Sequence, residues 1–67
     1  MGLQIINGSH VAFNEDLDKT SIDMAVEAFK VATKEGTGLT IENSDGVIIF
    51  CCGPKFLESC YMQIYPD

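Results

Sequence analysis

Two short apolar runs, residues 3 to 6 and 10 to 13, flank the dipeptide Asn7-Gly8 near the start of the chain. Asn and Gly suit the positive φ angles that a two-residue hairpin turn requires. The pattern therefore predicts a β-hairpin over residues 2 to 13.

A polar stretch without period, residues 14 to 19, predicts a loop that leads into a helix. Apolar side chains then recur every three or four residues, which predicts one amphipathic helix over residues 21 to 35. Thr20 can cap its first turn, and Asp23 stands three residues later, as in a capping box. Gly36 supplies the left-handed residue that ends a helix. The apolar positions are Ile22, Ala25, Val26, Phe29 and Ala32.

Two further β-rich runs, residues 39 to 43 and 47 to 52, surround a Ser-Asp-Gly tripeptide, which predicts a second hairpin. A two-residue turn pairs Ile41 with Phe50, whereas a four-residue turn pairs it with Ile48. Both registers keep the period-two parity, so the same side chains share one face in either case. We expect the helix to cover that face, which carries Leu39, Ile41, Ile48, Phe50 and Cys52.

The opposite face of this hairpin carries three more apolar side chains. One helix cannot cover both sides of a sheet, so something else must meet them. The candidates are the N-terminal hairpin, a symmetric copy of the chain or a partner protein. The sequence thus predicts an oligomer interface, with a homodimer as one form, at Val47, Ile49 and Cys51.

The segment after Gly53 allows two interpretations. Alternation over residues 60 to 65 predicts a final strand, with Tyr61 and Tyr65 on one face. Helical spacing also fits, with Pro54 as the first residue of a helix. We favour the strand.

These elements predict an α+β fold in the order β-β-α-β-β-β. An antiparallel sheet of about five strands would carry the one helix on one face. The chain has 67 residues, no internal repeat and no linker, which indicates a single domain over residues 1 to 67. A domain of this size buries only about 60% of its unfolded surface, so oligomerisation would help its stability.

Ten acidic residues against four lysines give a net charge of −6, and there is no arginine. This balance argues against direct binding to nucleic acid or to an anionic membrane. A protein with a basic surface is the expected partner. No apolar run is long enough for a signal segment or a membrane span, so we expect a cytoplasmic location with reduced thiols.

Half of the acids fall within residues 15 to 27. The spacing from Asp16 onward is like that of a calcium loop, but Ser21 replaces the glycine that such a loop needs at its sixth position. We interpret the run as a solvated loop and helix start, or as carboxylates presented to a groove lined by Lys and Arg. The candidate partner-binding residues are Glu15, Asp16, Asp18, Asp23 and Glu27.

The cysteines and the single histidine offer no convincing chemistry. Cys51 and Cys52 are adjacent in a predicted strand and point to opposite faces, which is unsuited to zinc. A nucleophilic Cys60 would need His10, the sole histidine, as its base, but His10 lies on a predicted strand beside a turn, where a structural role is far more common. We therefore predict no catalytic residue, no metal site and no cofactor.

These observations favour a small, acidic, non-enzymatic protein-binding module. One hypothesis is an inhibitor of the kind that phages and mobile elements encode, a viral nucleic-acid mimic that occupies a basic, nucleic-acid-binding site on a host protein complex. The alternative is a homo-oligomeric structural or adaptor module that associates through the apolar sheet face.

Overall fold

The computed structural model describes residues 1–67 and begins with the predicted hairpin. Strand β1 (Gly2–Asn7) pairs with the antiparallel strand β2 (His10–Asp16). Asn7 pairs with His10, so the two-residue turn consists of Gly8 and Ser9, one residue later than expected. The hairpin is confirmed, but most of the loop predicted at residues 14 to 19 is wrong because β2 continues to Asp16 as a solvent-exposed strand.

Helix α1 (Lys19–Glu35) starts two residues earlier than predicted. Its N-cap is Asp18 rather than Thr20, because the Asp18 carboxylate accepts a hydrogen bond from the backbone N–H of Ser21. Gly36 ends the helix as predicted, with a φ of 70° and its N–H donating to the carbonyl of Ala32. No helix in the fold has the length and apolar character needed to span a membrane.

Strands β3 (Leu39–Glu42) and β4 (Ile48–Cys52) form the second hairpin. Its turn is neither of the two expected lengths. The N–H of Asn43 donates to the carbonyl of Val47, which leaves a three-residue turn at residues 44 to 46. Gly46 holds the left-handed position of that turn, with a φ of 80°.

The odd turn length corrects the predicted face of β4. Glu42 pairs with Ile48, and an irregularity at Ile49 then restores the pairing of Ile41 with Phe50. Ile48 therefore points to solvent and is 58% exposed, whereas Ile49 is half-buried against the core. The other four predicted residues of this face all contact or form the core.

The C-terminal segment contains both of the alternatives considered. Pro54 opens a one-turn helix, α2 (Pro54–Leu57), and strand β5 (Cys60–Tyr65) follows it. The preferred strand is confirmed. It pairs with β1 along its whole length, from Gly2 opposite Tyr65 to Asn7 opposite Cys60.

The five strands form two sheets rather than the single sheet predicted. One is antiparallel in the order β2-β1-β5, and the other is the β3-β4 hairpin. Their apolar faces meet through Phe13 and Phe50, whose ring centroids are 5.7 Å apart in an edge-on arrangement. Helix α1 packs mainly on β3. The buried core consists of Leu3, Ile5, Phe13, Ile22, Ala25, Ala32, Leu39, Ile41 and Leu57.

Candidate binding surface

Acidic side chains from four segments converge at one end of the fold. The end of β2 lies beside the start of β1, because Asp16 pairs with Gly2. The Asp67 carboxylate lies 2.8 Å from the Met1 amine in the same region. The hydroxyl of Ser44 donates to Asp18 at 3.3 Å, which brings the β3-β4 turn to the start of α1. We call this surface the acidic end, and it comprises Glu15, Asp16, Asp18, Asp23, Asp45 and Asp67.

The acidic end holds six of the ten acidic side chains but only one of the four lysines, Lys19. Lys19 pairs with Asp23 at 2.9 Å across one turn of the helix. Such exposed pairs contribute little to stability because water and salt screen them. The opposite end, about 25 Å away along the 17-residue helix, carries Lys34, Glu35, Lys55 and Glu58. The charge of the chain is therefore concentrated at one end.

A buried serine fixes the geometry of the acidic end. Ser21 is fully buried, and its hydroxyl donates to Asp18 Oδ1 at 2.5 Å. The same hydroxyl oxygen accepts a hydrogen bond from the backbone N–H of Ser44 at 2.8 Å. The bond from the Ser21 hydroxyl lowers the pKa of the Asp18 carboxyl group, so this carboxylate stays ionised in mildly acidic solution. Asp18 thus supports the fold as well as contributing charge.

The other predicted acidic residues are exposed but do not share one plane. Glu15 and Asp16 are consecutive in β2, so their carboxylates project from opposite faces of the sheet. Asp23 and Glu27 are four residues apart on α1 and share one exposed side of the helix. Glu27 lies one turn beyond the acidic end.

Two residues of the acidic end were not among the candidates from sequence. The sequence predicts only a turn at Asp45, and Asp67 stands far from the acidic run along the chain. Both reach the surface through tertiary contacts, from Ser44 to Asp18 and from Asp67 to Met1. The local sequence pattern carries no signal for either contact.

The apolar face predicted to form an oligomer interface is exposed at two of its three residues. Val47 is 56% exposed and Cys51 is exposed, as that prediction required. Ile49 is not available, because the irregularity in β4 turns it towards the core. Ile48 takes its place on the exposed side. The exposed apolar side chains on this side of the hairpin are therefore Val47, Ile48 and Cys51, and the inclusion of Ile49 in the predicted face is wrong.

His10, Cys51 and Cys52 line a shallow cavity of about 410 Å³ between β2 and β4. No group of three or more His, Cys, Asp or Glu side chains is placed to hold a metal ion. All three cysteines are free thiols, and burial raises the pKa of Cys52, which disfavours its thiolate.

Cys60 and His10 both lie opposite Asn7, one on each neighbouring strand. Their backbones are two strands apart, about 10 Å, and the hydrogen-bond partners of the Cys60 thiol do not include His10. The Cys60 thiol instead donates to the carbonyl of Phe56 at 3.2 Å, and Asn7 Nδ2 donates to the same carbonyl at 2.8 Å. These contacts attach α2 to β1, which is a structural role.

No protein-family model, no curated protein and no solved structure matches this chain.

Proposed function

We propose that this chain is a non-enzymatic binding module that acts in the cytoplasm and presents its acidic end to a basic, nucleic-acid-binding site on another protein. The observation that carries the proposal is the convergence of six carboxylates from four separate segments on one end. Spaced carboxylates at this density can replace the phosphates of a nucleic acid in a groove lined by Lys and Arg. An inhibitor of phage or mobile-element type would work in this way.

The test begins with recovery of the partner. The tagged protein is returned to its source cells, and the proteins retained with it are identified by mass spectrometry. We expect a protein that binds nucleic acid, and we expect added nucleic acid to displace the tagged chain from it. A partner that binds nucleic acid and this chain at the same time would contradict the proposal.

The carboxylates of the acidic end differ in whether the fold depends on them. Reversal of Asp18 is unsuitable because its carboxylate caps α1. Asp16 and Asp23 are exposed and make no contact that the core requires. The double variant Asp16→Lys/Asp23→Lys therefore changes the surface, while Glu35→Lys/Glu58→Lys makes the same change in net charge at the opposite end.

A second candidate function is a homo-oligomeric structural or adaptor module. The molecule exposes 4202 Å², close to the roughly 4,200 Å² expected for a folded monomer of this mass. Yet nine of its large hydrophobic side chains are at least 39% exposed. The total exposed surface is thus that of an ordinary folded monomer. Its exposed apolar side chains are nevertheless available for contact with another molecule. A wild-type chain that sediments only as a monomer would exclude this candidate.

A further inference from the structure

The outer edge of β5 carries unpaired backbone groups. β5 is the last strand of the β2-β1-β5 sheet. The N–H of Gly8 donates to the carbonyl of Ser59 at 3.1 Å, in register with the β1-β5 ladder. Because hydrogen-bonded residues alternate in an antiparallel ladder, Tyr61, Gln63 and Tyr65 direct their backbone groups to β1. Cys60, Met62 and Ile64 direct theirs outward, and none of the backbone hydrogen bonds outside the helices and strands involves these residues.

The two edges of this sheet differ in how they are protected. β2 has a register shift opposite Ile5 and Ile6, and it ends in Glu15 and Asp16. Bulges and charges of this kind prevent edge-to-edge pairing. β5 has no register shift, no charged residue and no internal proline. Its side chains are also apolar and accessible, with Tyr61 48%, Ile64 41% and Tyr65 47% exposed.

The sequence of β5 is chemically palindromic. Tyr61-Met62-Gln63-Ile64-Tyr65 reads aromatic, aliphatic, amide, aliphatic, aromatic in both directions. A two-fold interface must be self-complementary, and antiparallel pairing about Gln63 meets this requirement because it places each of these residues opposite one of the same chemical kind. A foreign peptide would impose no such symmetry on the strand.

We propose that two copies of this chain pair through β5, antiparallel, with the two-fold axis at Gln63. This register places Tyr61 opposite Tyr65 of the second copy, Met62 opposite Ile64, and Gln63 opposite itself. The outward backbone groups of Met62 and Ile64 then form the new hydrogen-bonded pairs. The tyrosines meet at non-hydrogen-bonded positions, where side chains are closest. The product is one continuous six-stranded sheet with both helices on the same side.

The antiparallel arrangement also reduces the electrostatic repulsion between two acidic copies of the chain. Each copy has a net charge of −6, concentrated at the end of the molecule where β5 finishes. Antiparallel pairing moves the two acidic ends to opposite extremes of the shared strand pair. A six-residue strand is about 20 Å long, more than twice the Debye length of about 8 Å at physiological salt. The two charge clusters are therefore screened from each other.

This inference rests on the second candidate function and does not require the acidic end to bind a partner. Its test needs only the purified chain. Gln63→Lys would place two lysines against each other on the axis, and because Gln63 is exposed the fold is retained. Asn14→Lys is the matched control. Asn14 is exposed on the same sheet face, and both residues pair with Gln4, from opposite sides.

Sedimentation equilibrium from micromolar to millimolar concentration measures the outcome. We expect the wild type and Asn14→Lys to reach twice the 7.3 kDa chain mass, and Gln63→Lys to remain monomeric. A monomeric wild type would overturn self-association altogether. A dimeric Gln63→Lys variant, equal to Asn14→Lys, would overturn the β5 interface while leaving self-association through another face.

Cysteine substitution at the axis tests the register. Residues opposite each other at a non-hydrogen-bonded position have Cα atoms about 4.5 Å apart, within the range that a disulfide spans. Gln63→Cys should give a covalent dimer under mild oxidation. Asn14→Cys, with the same three native thiols, should not. Equal cross-linking of the two variants would contradict the proposed axis.

Discussion

Ser21 shows how much of this fold depends on a single buried hydroxyl. It is the one buried polar residue, and it connects the N-cap of α1 to the β3-β4 turn. The sequence predicts no structural role for Ser21 and shows only that it departs from a calcium-loop pattern. Its hydrogen-bond partner Ser44 lies 23 residues away, beyond the reach of a local pattern. The cap was predicted two residues too late, at Thr20 instead of Asp18, because local pattern cannot decide among neighbouring polar residues.

Ser21→Ala should lower the free energy of unfolding by about 1–3 kcal/mol, since it removes the buried hydroxyl that bonds both Asp18 and the partly buried N–H of Ser44. Urea denaturation measures the change. Thr20→Ala is the matched control, because Thr20 is exposed and does not cap the helix. A loss at Thr20 equal to that at Ser21 would contradict the assigned cap.

Asp18→Asn should make stability less dependent on pH. The folded pKa of Asp18 lies below the unfolded value of about 4. The ionised carboxylate therefore contributes stability above that value, and the contribution is lost as the pH falls through the folded pKa. We expect Asp18→Asn to be less stable than the wild type at pH 7 and the difference to shrink in acid. Thermal unfolding of both proteins across this pH range measures the difference in stability. A difference that does not change with pH would contradict this role of Asp18.

At the scale of elements, the sequence pattern predicted the features that depend on neighbouring residues. Helix α1, both hairpins and the final strand were all visible in the spacing of apolar residues. The faces of β4 were not, because both expected turns have an even number of residues, whereas the structure has three turn residues and an irregularity at Ile49. The pairing of β1 with β5 joins the two ends of the chain, and no local pattern indicates it.

The approach of β3 to β4 depends on Gly38. A Cβ atom at Gly38 would lie 2.7 Å from the carbonyl oxygen of Cys52, and this backbone oxygen cannot move away cheaply. Gly38→Ala should therefore destabilise the fold by about 1–3 kcal/mol, as overpacking does. Gly53→Ala is the control, because no atom lies within 4 Å of its added Cβ. Similar denaturation midpoints for the two variants would argue against this close approach.

At the scale of the whole molecule, composition predicted the acidity but not its placement. The acidic run over residues 15 to 27 includes four members of the acidic end, together with Glu27 beyond it. Asp45 and Asp67 join them only because the turn and the C-terminus fold back to the start of α1 and to Met1. Folding thus concentrates the charge of an acidic chain at one end of the molecule.

The most direct test of this account is the affinity of the recovered partner for three purified proteins at several salt concentrations. We predict that Asp16→Lys/Asp23→Lys weakens binding by about tenfold or more and flattens its salt dependence. The matched variant Glu35→Lys/Glu58→Lys should bind almost as the wild type does. Equal loss of affinity in both variants, or wild-type binding that salt leaves unchanged, would contradict the claim that the acidic end is the binding surface.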